Sequence, residues 1–114
     1  MKRGAHHQHV MNMYLIQIFL PLYDNNKRRI PRTRFALVAD ELTAKYGGLS
    51  MYSRAPLVGL WSPSHRRTQR DDLVIYEVMS RTLNRRWWRH YRQNLQQLFK
   101  QQQVVIRAQR YIQL

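Results

Sequence analysis

The stretch Met13-Tyr14-Leu15-Ile16-Gln17-Ile18-Phe19-Leu20-Pro21-Leu22 decides the fold. One alternate set of side chains is Tyr14, Ile16, Ile18, Leu20 and Leu22, and the other is Leu15, Gln17 and Phe19. Apolar residues therefore fall on both faces of a period-two pattern, which is the mark of a central strand covered on each side. Pro21 has no N–H to offer a ladder and ends the strand. The apolar run, Met13 to Tyr23, is interrupted by Gln17 and Pro21 and is far shorter than the ~20 residues a membrane helix needs.

Working outward, Asp24, Asn25 and Asn26 favour a turn, and Pro31 suits the entry to a helix. Phe35, Val38, Ala39, Leu42 and Tyr46 then recur at helical spacing, and Gly47-Gly48 supplies a left-handed exit. From Leu49 to Trp61, Tyr52, Val58 and Trp61 favour a strand while Pro56 and Gly59 break it, so an edge strand is expected. After a basic loop, Asp71 to Met79 resumes β character and makes a hairpin with that edge. Asn84 is the N-cap of a second helix whose stripe is Trp88, Tyr91, Leu95, Leu98, Phe99 and Gln102. Val104-Val105-Ile106 opens a fourth strand.

The order β, α, β, β, α, β with right-handed crossovers gives a ferredoxin-like α+β domain, an antiparallel sheet with both helices on one face. The doubly apolar first strand then asks for cover on the other face, so a homodimer of the α+β barrel type is expected. The domain is expected over residues 13–114, with residues 1–12 a disordered tail. His6, His7 and His9 in that tail have no folded surroundings to hold them, so no metal site is expected, and no cofactor is called for.

Composition limits the chemistry. The chain holds 20 Lys and Arg against 6 Asp and Glu and no cysteine, which excludes disulfides, thiolate catalysis and zinc-thiolate sites. The absence of cysteine and of an apolar export core in residues 1–12 points to the cytoplasm, with no membrane attachment. No acidic residue follows Glu77, so the basic field concentrates toward the C-terminal half and would attract polyanions.

Three groups of residues are candidates for function. Arg28 and Arg29, Arg66 and Arg67, and Arg85, Arg86 and Arg89 would bind nucleic acid if they converge on one surface. The 70–79 strand lacks the glycine and alternating aromatics with which ferredoxin-like RNA binders stack bases. Glu77 alternates with Ile75 and Met79 on a sheet face, where an unpaired charge is costly. Gln17 and Arg54 are its expected partners, and with Tyr52 they would form a ligand pocket or a dimer contact. Trp87, Trp88 and Tyr91 read as core. His7-Gln8-His9 with Tyr91 departs from the histidine-pair nucleases, because Gln8 takes an apolar place and Leu95 stands where glutamine is needed.

Gly47-Gly48-Leu49, Tyr52-Ser53-Arg54-Ala55-Pro56, Gly59-Leu60-Trp61, Arg70-Asp71-Asp72, Tyr76-Glu77-Val78-Met79, Trp87-Trp88 with Tyr91-Arg92, and Val105-Ile106-Arg107-Ala108 together resemble the landmarks of a bacterial family of small uncharacterised proteins. The resemblance spans Met13 to Leu114 and carries no activity. It implies that Arg54, Trp61, Asp72, Glu77 and Trp88 mark a site. Three readings follow: a homodimeric small-molecule-binding module, with catalysis open; a nucleic-acid-binding protein using its arginines; and an interaction protein that dimerises through its sheet.

Overall fold

The computed structural model describes residues 11–54 and 73–114. The elements are β1 (Met11–Pro21), α1 (Arg32–Tyr46), β2 (Ser50–Arg54), β3 (Leu73–Ser80), α2 (Arg85–Leu98) and β4 (Val105–Gln113). All three strand pairs are antiparallel, and the four strands lie in the order β2-β3-β1-β4. This is the ferredoxin-like arrangement, and β1 is central as its double apolar pattern requires. The strand starts at Met11, two positions before the expected boundary at Met13.

Ile16, Ile18 and Leu20 of β1, with Tyr76 and Val78 of β3, form the floor of the core. Val38 and Leu42 of α1 and Trp88, Tyr91 and Leu95 of α2 form its roof. Phe99 closes the end of the core edge-on against Phe35, with ring centroids 5.0 Å apart. Each helix end has a local cause. The Asn84 side chain accepts the Trp87 N–H at 3.0 Å and starts α2. Gly47, at φ 79°, stops α1 in the left-handed region that glycine enters freely. The stripe expected on α2 holds through Phe99, but Gln102 is exposed, because the helix ends at Leu98.

The expected barrel does not form. β2 and β4 are opposite margins of an open sheet, three strand spacings or about 14 Å apart. Both helices pack on one face. Among the described residues nothing covers the second face. Among those residues, too, no helix is long and apolar enough to cross a membrane.

Candidate functional site

Two places gather chemistry, one on each side of the sheet. On the free face, a polar row crosses β4, β1 and β3 at one level, and Tyr52 of β2 joins it from the neighbouring pair. Gln17 stands opposite Glu77 on one side and Arg107 on the other. Its Nε2 donates to Glu77 Oε2 at 2.5 Å, and its Oε1 accepts from Arg107 Nε at 2.9 Å. Tyr52, on β2, donates its hydroxyl to Glu77 Oε1 at 2.9 Å. That hydrogen bond, and then the charge of Glu77, raise the Tyr52 phenol above its ordinary pKa.

The sequence reading thus gave Glu77 its Gln17 partner and set Tyr52 near them, though without a bond to Glu77. It missed Arg107, whose guanidinium also lies over the Phe19 ring, 4.8 Å from the centroid. The alternation of Val105, Arg107 and Gln109 puts Arg107 on a sheet face, but only the β1–β4 register brings it to Gln17. Arg54 occupies the position opposite Leu73 on the Tyr52 edge. Its side chain lies outside the described residues, as do Trp61, Asp72, Arg66, Arg67 and the histidine-rich tail.

Apolar groups flank the row. Leu15 and Phe19 are half-buried, while Met79 is 54% and Val105 49% exposed. The Tyr111 hydroxyl reaches the Met79 sulfur across the sheet. Among the described residues the face is a surface rather than a cavity, with a depression of about 230 Å³ beside Gly48, Leu15, Met79 and Glu77 touching the row.

The second place is a cleft of about 540 Å³ on the helix side, between α2 and β4. Ala108 faces the helix layer opposite Ile16, and its short side chain leaves space between strand and helix unfilled. Arg85, Arg89 and Arg92 line one wall, at the i, i+4 and i+7 positions of α2 that share a helix face. Arg110 of β4 lines the other. A second hollow of about 570 Å³ shares Arg92 and Ile106 with the first and continues the groove toward Gln102. Among the described residues, no carboxylate pairs with any of these four arginines, and the Arg92 Nε–H is buried without an acceptor.

The other nucleic-acid candidates among the described residues are not drawn in. Arg86 is one residue round the helix from Arg85 and does not line the cleft. Arg28 and Arg29 sit exposed on the loop after β1. The Asn25 N–H donates to the Lys100 carbonyl at 3.1 Å and holds that loop at the C-terminal end of α2. Arg85 is at the other end of the same helix, about 21 Å away along its axis.

The aromatic group is core, as its spacing indicated. Trp88 and Tyr91 are buried, and Trp87 stacks on Tyr91 with centroids 4.7 Å apart. Trp88 shows one edge to the cleft while its indole stacks on Tyr46 at 5.7 Å. The indole N–H approaches the Tyr46 phenol without reaching hydrogen-bond geometry. Burial raises the Tyr46 pKa, and the nearby indole opposes the rise in part. Tyr91 is tied by its hydroxyl to Glu41 Oε1 at 2.8 Å, and burial, then Glu41, drive its pKa upward. A phenol held protonated in the core is no nucleophile. No family model matches the chain, and no curated protein matches it.

Proposed function

We propose that this protein binds nucleic acid through the arginine cleft between α2 and β4. The observation that carries the reading is the set Arg85, Arg89, Arg92 and Arg110 around one groove with no carboxylate to neutralise it among the described residues. Guanidinium forks fit phosphate oxygens, and counterion release from the nucleic acid drives such contacts. With 20 basic residues against 6 acidic ones, the long-range field steers the same class of partner. Contacts of this kind read the backbone, so broad sequence tolerance is expected. A cytoplasmic location belongs to the same proposal.

The small-molecule reading has less support. The Gln17, Tyr52, Glu77 group saturates itself on a surface, and the hollow beside it is below the ~300–1,000 Å³ usual for ligand sites. Fluorescence anisotropy with labelled single-stranded and duplex oligonucleotides across a salt series tests the proposal. Affinity should fall linearly on a log–log plot, and R85A/R89A/R92A should flatten the slope by roughly 2–3 charges. Absent or salt-insensitive binding ends the reading, as does an unchanged slope in the triple variant.

A further inference from the structure

We infer that the free sheet face is the contact surface of a homodimer in which Arg107 of each copy lies opposite the partner's Glu77. The row Arg107–Gln17–Glu77 has a cation at one end, an anion at the other and an amide at its centre. A two-fold axis lying between two such faces and running along β1 exchanges the β3 and β4 sides. Arg107 then meets the partner's Glu77, and Glu77 the partner's Arg107. An axis across the strands would instead set Arg107 against the partner's Arg107, so charge selects one orientation.

The surroundings fit a second copy better than a polyanion. Among the side chains described on this face, Arg107 and Glu77 are the charged members and cancel, whereas the unpaired arginines line the cleft on the other side. Phe19, Met79 and Val105 supply apolar area on both flanks of the row, and a like face would cover them. The result is two open sheets stacked about 10 Å apart with strands roughly aligned. Each sheet keeps its own margins.

Sedimentation equilibrium on the wild-type protein and on E77R and R107E tests the arrangement. The wild type should dimerise. Each reversal puts like charges opposite one another in its own homodimer and should weaken association at least ~10-fold. In an equimolar mixture of the two variants, the arginine introduced in one copy faces the glutamate introduced in the other. The native Arg107 of the first copy faces the native Glu77 of the second, so heterodimers should form at close to wild-type strength. A role confined to one subunit cannot be rescued by mixing. A monomeric wild type overturns the inference, as do folded single variants that dimerise unchanged or a mixture that stays monomeric. Should either reversal fail to fold, V105E, at an exposed position, decides the matter: a folded V105E that still dimerises overturns it.

Discussion

The Gln17 amide joins the Glu77 carboxylate to the Arg107 guanidinium, giving its N–H to one and its carbonyl to the other. An amide can serve both because it carries donors and an acceptor on one rigid plane. Q17L keeps the volume and removes both bonds, leaving Glu77 with Tyr52 alone. Hydrogen bonds to charged groups contribute about 1.5–3 kcal/mol when buried, and partial exposure reduces this to about 1 kcal/mol here. Y52F should cost less than Q17L, because Tyr52 is 49% exposed and water replaces its hydroxyl. Urea unfolding of both variants at neutral pH checks the order; Y52F costing more than Q17L would contradict it.

Tyr91 and Glu41 fasten the two helices to one another above the core. Y91F retains the ring that stacks on Trp87 and loses only the hydroxyl, so a destabilisation of about 1 kcal/mol is expected. Y91A also empties the ring's place in the core and should cost about 3–5 kcal/mol. Thermal melts of the pair separate the bond from the packing, and equal losses would show that the hydroxyl dominates.

The fold was legible wherever a local pattern had one physical meaning. Alternation in Met13–Leu22, the Asn84 cap and the Gly47 exit each fixed an element, and the β-α-β-β-α-β order fixed the topology. The barrel was misread because a doubly apolar central strand signals cover without saying whether that cover comes from the same sheet, another segment or another chain. Glu77 announced itself as a charge among apolar neighbours, and Gln17 was reachable because both lie mid-strand. Arg107 was not, since a one-residue register change between β1 and β4 would send it to the opposite face. The cleft was hidden for a related reason: Ala108 matters only through its position beneath α2.

Asp24 gives a pH dependence with a definite sign. Its Oδ1 accepts the Asn26 and Arg28 N–H groups at 2.8 and 3.0 Å. The Arg28 amide contributes most to holding its carboxyl below the ordinary value of 3.8, and Lys100 and Arg28 add attraction. A depressed folded-state pKa means that the unfolded chain binds the proton more readily. The stabilisation is therefore complete above the ordinary value and disappears as pH falls through the lowered one. D24N keeps an acceptor oxygen but has no charge to lose. Wild type should exceed D24N in stability at pH 7, and the gap should narrow as pH falls below the ordinary carboxyl value of 3.8. A gap that does not change with pH would place the effect in the hydrogen bonds rather than in ionisation.

Both helices end on a left-handed residue, α1 through a single bond from the Gly47 N–H to the Thr43 carbonyl at 2.7 Å and α2 through a pair of bonds. After α2, Lys100 sits at φ 51°, its N–H donating to the Gln97 carbonyl at 3.3 Å, while the Gln101 N–H reaches the Gln96 carbonyl at 3.0 Å. That pair of bonds is the Schellman arrangement, whose left-handed position glycine fills without strain. Gly47 does so after α1, and a Cβ added there would meet nothing within 4 Å. G47A should therefore lose about 1 kcal/mol through backbone strain alone, with no clash to relieve. K100G should move the other way. Relief of the left-handed strain, about 1–2 kcal/mol, exceeds the added freedom of glycine in the unfolded chain, about 0.5–1 kcal/mol. A net gain of about 0.5–1 kcal/mol follows. K100A removes the same charge but keeps the strain, so it should show no gain. Urea midpoints for the three variants test the argument as a set; equal stabilisation by K100G and K100A would assign the effect to removal of the lysine side chain and not to the backbone.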